Sequence, residues 1–158
     1  MDRRRIFQIV VIAGALAAYL TIVVGGDLTA SEAGFACQDS WPFCPGGIIP
    51  DLSQPGVAIE FTHRVIAFAT SLLILATLIL AFLWFRRDRR IFSLSVTTFV
   101  LLFAQVLLGM VTVQSRLDPL VVTAHLAIGT ATFAAALVLA VVLSLTRPSR
   151  STAEAAPG

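Results

Sequence analysis

The sequence predicts an all-α integral membrane protein whose four transmembrane helices pack as a bundle. Of the 158 residues, 58% are hydrophobic and only 13% are charged, and the mean hydropathy is +0.92. This balance suits a chain that is surrounded by lipid. The sequence also contains four long apolar runs, each with the ~20 residues that a helix needs to cross a bilayer. Because lipid offers no partners to backbone amides, we expect all four runs to be helical.

We place the helices at about residues 6–25, 59–85, 91–113 and 120–145, within a single domain of residues 1–148. The first run follows three arginines, as in a signal peptide, but it is longer than a signal peptide's apolar region and lacks a cleavage site, so we expect it to be retained. The outer loop, 26–58, is long and rich in Gly and Pro, and Trp41 and Phe43 argue against its being disordered. Residues 149–158 are predicted to be a disordered tail.

The distribution of arginine predicts the orientation in the membrane. Nine of the 11 arginines flank the helices at one end of the predicted bundle: Arg3, Arg4, Arg5, Arg86, Arg87, Arg89, Arg90, Arg147 and Arg150. The positive-inside rule places this end and both termini in the cytoplasm, and the loop 26–58 outside. We therefore expect a multi-pass protein of a prokaryotic cell membrane. Topology explains the basic clusters, so we expect no nucleic-acid partner.

The two helix pairs are predicted to be an internal repeat. Helix 2 reads HRVIAFAT from His63, and helix 4 reads HLAIGTAT from His125. Helices 1 and 3 agree more weakly, around Gly25 and Gly109. This repeat predicts a pseudo-twofold axis along the membrane normal. The small residues of the repeat are explained either by close helix packing or by room for a flat cofactor.

The only two histidines, His63 and His125, both lie inside predicted membrane helices. Helices 2 and 4 run parallel, so both side chains should lie within roughly 10 Å of the outer boundary, at similar depth. Two imidazoles at one depth on parallel helices predict bis-histidine ligation of a haem iron. The alternative is that each only makes interfacial hydrogen bonds. Zinc is not expected, because it would need more ligands than these two.

Two charged residues next to His63 have alternative interpretations. Glu60 precedes it by three residues and so shares its helix face. This carboxylate either caps the helix, where the dipole favours it, or handles protons beside a cofactor. Arg64 either extends to the interface or pairs with a haem propionate, for which Arg116 is the second candidate.

The segment CQDSWPFC contains the only two cysteines, Cys37 and Cys44. Covalent haem attachment would require C-x-x-C-H, which is absent, and the loop has no further Cys or His for zinc. Disulfides persist outside the cell, so we predict a Cys37–Cys44 disulfide. The sequence leaves open whether this pair also exchanges electrons with thiols.

Together, the run GGDLTASEAGFACQDSWPFCPGG, the segment EFTHR and the helix 4 segment TAHLAIG resemble the haem A synthase family of cytochrome oxidase assembly proteins. The resemblance extends from helix 1 through helix 4. It implies that Cys37 and Cys44 are the family's outer-loop pair, that Glu60 is its functional carboxylate, and that His63 and His125 are its haem ligands. The implied reaction oxidises the C8 methyl of haem O towards the formyl of haem A, with water supplying the oxygen.

Typical members of this family have eight helices in two homologous halves, each with a histidine pair, and this sequence corresponds to one half. One half handles haem O and the other carries haem b, so the resemblance implies haem b, haem O or haem A as the bound group. The cysteines and Glu60 make the chain most similar to the half assigned to the substrate. We expect a homo-oligomer to supply the second pair, and haem O synthase and oxidase assembly proteins to be partners. The alternatives are a non-enzymatic haem b or electron-transfer protein and a scaffold for oxidase assembly.

Overall fold

The computed structural model describes residues 2–38 and 40–146, and within these residues all regular secondary structure is helical. The four helices are α1 (Arg3–Ala30), α2 (Pro55–Phe85), α3 (Arg89–Gln114) and α4 (Pro119–Leu145). Each is long and apolar enough to cross a membrane. The predicted all-α, four-helix membrane bundle is therefore confirmed. The predicted disordered tail, 149–158, lies outside the described residues.

The helices continue beyond the predicted apolar runs, most of all around the first connection. α1 extends to Ala30 and α2 begins at Pro55, so the connection covers 31–54 and not 26–58. Hydropathy marks the stretch that lies in lipid, whereas a helix can continue into water. Proline suits the first position of α2, because the amide it lacks would have no partner there in any case.

The four helices form a ring of two hairpins. α1 contacts α2, and α3 contacts α4, more extensively than α1 contacts α4 or α2 contacts α3. Among the described residues, no Cα atoms of the diagonal pairs α1–α3 and α2–α4 lie within 8 Å of each other. The parallel helices α2 and α4, which carry the two histidines, therefore face each other across the bundle axis.

The predicted internal repeat is visible in the buried positions. One constant sequence offset relates those of α1 to those of α3: Phe7 with Ile91, Val11 with Ser95, Gly14 with Thr98, and Ala18 with Leu102. A second constant offset relates those of α2 to those of α4: Thr70 with Thr132, Ile74 with Ala136, Thr77 with Leu139, and Ala81 with Leu143. The two offsets differ because only the first hairpin contains a long connection.

The hydrophobic core of the bundle lies towards its arginine-rich end. A cluster of buried apolar side chains closes this end: Phe7, Val11, Ala81, Ile91, Leu139, Ala140 and Leu143. Arg4 donates to the carbonyl of Leu143 at 2.8 Å and also to Thr146, which ties the start of α1 to the end of α4. The histidines lie towards the opposite end, beside the long connection.

Candidate functional site

The two histidines occupy corresponding places in the two hairpins. His63 lies about 12 Å along α2 and His125 about 9 Å along α4, at a rise of 1.5 Å per residue from each helix start. Because α2 and α4 run parallel, the two imidazoles lie at similar depth, as the sequence predicts. The two imidazoles are carried by helices that lie on opposite sides of the bundle axis.

Each imidazole packs against a glycine of the preceding helix. A Cβ placed on Gly25 would lie 3.0 Å from Cε1 of His63, and one placed on Gly109 would lie 3.3 Å from Cε1 of His125. These two glycines are related by the same offset that relates the buried faces of α1 and α3. Their place in the repeat is therefore explained by the room that they leave for the rings.

The ring nitrogens have few partners. Nδ1 of His63 and Nδ1 of His125 are buried and make no hydrogen bond. The backbone carbonyl of Thr21 lies near the His63 ring and that of Gln105 near the His125 ring, but neither has the geometry of a hydrogen bond to Nδ1. An unsatisfied buried polar group costs about 1–3 kcal/mol, which marks this pair as unusual. A metal-binding histidine commonly directs its second nitrogen to such a carbonyl.

Gln105 is a site residue that the sequence analysis missed. Its side-chain nitrogen lies 3.3 Å from Nε2 of His125, and its Oε1 is buried without a partner. A Cβ placed on Gly129 would lie 2.8 Å from the Gln105 nitrogen, so this glycine makes room for the carboxamide. The available signal was a lone carboxamide within the apolar run 92–113.

The position equivalent to Gln105 in the first hairpin is Thr21, which behaves differently. Its hydroxyl is 3.0 Å from that of Thr70, and it also bonds to the carbonyl of Ala17. Within the described part of the chain, no side chain makes a hydrogen bond to His63. The two halves of the site are thus alike in their histidines and glycines but differ in this polar neighbour.

Glu60 is almost fully buried, with 2% of its surface exposed. Its Oε2 accepts a hydrogen bond from the backbone N–H of Cys37 at 2.7 Å, and its Oε1 pairs with Arg64. α2 has no acidic residue in its first turn. The helix-capping interpretation is therefore wrong, because the partners of Glu60 lie in the long connection and one turn further along α2.

Arg64 ties the long connection to α2. It donates to the carbonyls of Ser40 at 2.8 Å and Pro42 at 3.1 Å, in addition to its ion pair with Glu60. These contacts hold the cysteine-containing segment next to the residue that follows His63. Arg116, the other predicted propionate partner, lies exposed in the α3–α4 turn, at the same end of the bundle.

The predicted disulfide is present. Cys37 and Cys44 are bonded to each other, and both are buried. The connection also reaches the second hairpin, because a Cβ on Gly34 would lie 3.2 Å from Cδ1 of Leu117. The connection therefore covers the end of the bundle nearest the histidines.

The donor set of the site suits a haem. Among the described residues, no three His, Cys, Asp or Glu side chains form a group that could hold a metal ion. Two imidazoles are sufficient for haem iron, because the porphyrin supplies the other ligands. The fold and site define a multi-pass membrane protein with a candidate bis-histidine haem site.

Comparisons with known proteins agree with this class. The family described as Cytochrome oxidase assembly protein matches residues 53–157. The Heme A synthase of Geobacillus thermodenitrificans is 32% identical over 127 residues, which cover 80% of this chain and 40% of that protein. The Heme A synthase of Bacillus mycoides (strain KBAB4) is 31% identical over 121 residues, covering 76% and 39% respectively. That of an Exiguobacterium species is 29% identical over 126 residues, covering 78% and 41%.

The chain belongs to the haem A synthase family of cytochrome oxidase assembly proteins. It spans about two fifths of the length of the curated relatives that it matches. Membership supports a role in cytochrome oxidase assembly and a haem-related ligand.

Proposed function

We propose that this chain is a membrane oxidoreductase of the haem A synthase type, which oxidises the C8 methyl of haem O towards the formyl of haem A. Water is the proposed source of oxygen. The observation that carries the proposal is the placement of His63 and His125, at similar depth on helices that face each other across the bundle. Each imidazole ring packs against a glycine of the preceding helix.

His63 and His125 are proposed to be the residues that would hold the iron of haem O. The buried, unbonded nitrogens support this assignment, because they are polar atoms for which the protein itself supplies no partner. The glycine contacts also support it, since they fix the position of each ring before the substrate binds. Bis-histidine ligation would hold the porphyrin, and therefore its C8 methyl, in one orientation.

Glu60 is proposed to accept or direct protons during the oxidation. Converting a methyl to a formyl with water as the oxygen source releases four protons and four electrons, so it requires an external electron acceptor, and a buried carboxylate can take up the protons. Glu60 lies one helical turn before His63 and is shielded from solvent. Arg64 and Arg116 remain the proposed partners of the haem propionates, and Arg64 would exchange a loop carbonyl for such a contact.

The test is to produce the chain together with haem O synthase in a host that lacks haem A, and to identify the extracted haems by chromatography and mass spectrometry. We expect haem A or an oxidised haem O from the wild type, and neither from the His63→Ala/His125→Ala double variant. Haem b alone would instead favour the electron-transfer alternative. A purified protein without haem would favour a scaffold.

We further propose that a second copy of the chain supplies the second histidine pair that the family's chemistry uses. A twofold dimer with its axis along the membrane normal would keep every arginine cluster on one side. Native mass spectrometry from nanodiscs, together with the ratio of haem to chain, tests this association. An active monomer would contradict it.

A further inference from the structure

We infer that Gln105 is a positioning residue that makes His125 the weaker, more readily exchanged of the two iron ligands. The inference rests on the proposed bis-histidine site. The internal repeat by itself predicts two equivalent iron ligands. Gln105 is the neighbouring residue that makes them different.

The first step concerns the atom that Gln105 contacts. Its carboxamide nitrogen lies 3.3 Å from Nε2 of His125. If Nδ1 bonds to the nearby backbone carbonyl, Nε2 is the ring nitrogen that remains for iron. A nitrogen that binds iron cannot keep this hydrogen bond. Iron binding at His125 therefore requires the carboxamide to move away.

The second step concerns what happens to the displaced carboxamide. Oε1 of Gln105 is already buried without a partner, so displacement would leave the whole group unsatisfied in an apolar span. A buried polar group without a partner raises the free energy of the protein, so its displacement disfavours iron binding at His125. Formation of the iron–His125 bond is therefore less favourable by the free energy that the carboxamide loses when it gives up its partner.

His63 carries no such penalty. Its equivalent neighbour, Thr21, is directed to the hydroxyl of Thr70, 3.0 Å away. In the α2 repeat, Ala67 occupies the place of Gly129, so the space that admits the Gln105 side chain has no counterpart beside His63. The iron–His63 bond is thus the stronger one, and a substrate that must be bound and later released leaves from the His125 side first.

Gly129 provides a way to move the carboxamide without removing it. A Cβ at this position would lie 2.8 Å from the Gln105 nitrogen, so the flexible side chain must shift, and its hydrogen bond to His125 is then lost before haem binds. The substitution Gly129→Ala should therefore have the same direction of effect as Gln105→Leu. The matched control is Thr21→Val, which changes the equivalent position on the other side and keeps its backbone carbonyl.

The experiment titrates the purified, haem-free full chain in nanodiscs with haem b and follows the Soret band. A second measurement records the rate at which the loaded protein gives its haem to excess apomyoglobin. We expect Gln105→Leu to bind haem about tenfold more tightly, which corresponds to ~1.4 kcal/mol, and to release it more slowly. Gly129→Ala should change both quantities in the same direction, and Thr21→Val should match the wild type. All four proteins should keep a low-spin spectrum.

The outcomes separate this inference from the proposed function. A wild type without a low-spin, bis-histidine spectrum would contradict the proposed ligation itself. If the wild type shows that spectrum and both Gln105→Leu and Gly129→Ala bind haem with equal or lower affinity, the role given to Gln105 is wrong and the ligation stands. Should Gln105→Leu fail to fold, Gly129→Ala decides the question alone, because it retains every polar group of the site.

Discussion

At the scale of single residues, the candidate site consists of polar groups that lack full hydrogen bonding inside an apolar bundle. His63 and His125 each have an unbonded, buried Nδ1. Glu60 is buried as well, but both of its oxygens have partners. This difference supports the proposal that the histidines bind a ligand, whereas Glu60 already holds the connection to α2.

Replacing either histidine by alanine removes one proposed axial ligand. We expect His63→Ala and His125→Ala to convert the low-spin spectrum of the bound haem to high spin or to lose the haem, with affinity falling at least about tenfold. Absorbance spectra of the reduced and oxidised protein measure the change. Thr130→Ala is the control, because this exposed α4 residue bonds only to the carbonyl of Leu126. An unchanged reduced α-band in both histidine variants would exclude bis-histidine ligation.

The two tasks of Glu60 can be separated by comparing Glu60→Ala with Glu60→Gln. Both variants should retain haem, and the conversion of haem O should fall by about 10²-fold or more, the scale of a lost general base. Glu60→Gln keeps an acceptor for the N–H of Cys37, so it should disturb the connection less. Haem extraction measures the conversion, and limited proteolysis measures the order of the connection. Glu32→Ala, at an exposed acid near the same end, is the control; a fully active Glu60→Ala would leave the residue only its structural task.

The histidines and Glu60 could be identified as candidate site residues from the sequence because ionisable residues are rare in membrane helices. The contact between Gln105 and His125 could not, since it depends on how α3 is rotated against α4. The apolar run 92–113 gives little indication of that rotation, because most of its faces are equally apolar. The contacts of Glu60 were also unpredicted, because they depend on the path of an irregular connection.

At the scale of the helices, Gly25 of α1 packs against the imidazole of His63 on α2. Gly25→Ala would place a Cβ 3.0 Å from Cε1 of His63, so the ring must shift. We expect this variant to lower haem affinity or to produce a mixed-spin spectrum. The neighbouring Gly26→Ala is a matched control, because a Cβ there meets nothing within 4 Å. Equal haem spectra for the two alanine variants would show that the glycine contact does not position His63.

We expect the disulfide to stabilise the connection 31–54 against unfolding more than it stabilises the helices. Alkylation mass spectrometry of unreduced membranes should find no free thiol at Cys37 or Cys44, because both are bonded. The double variant Cys37→Ser/Cys44→Ser should lose about 2 kcal/mol of stability, the amount expected for a short closed loop. Protease cleavage within 31–54 should then become faster while the helix content by circular dichroism stays unchanged. Alkylation of both cysteines in oxidised membranes would contradict the bond.

At the scale of the whole molecule, the arginine clusters predict which end faces the cytoplasm. In a background with both native cysteines changed to serine, we expect Ser53→Cys to react with a membrane-impermeant maleimide in intact cells. Arg87→Cys should react only after the cells are permeabilised, because it lies in the arginine-rich turn. The opposite pattern of labelling would reverse the predicted orientation.

The way in which the bundle is closed determines how a large, flat molecule can reach the histidines. The connection, fixed to α2 by Arg64 and touching Leu117 of the second hairpin, covers one end. Apolar side chains fill the other end. A path parallel to the helices would therefore displace one of these structures. The contact between α2 and α3 is the least extensive of the four, so we expect a flat hydrophobic ligand to reach the two imidazoles sideways from the lipid, between these two helices.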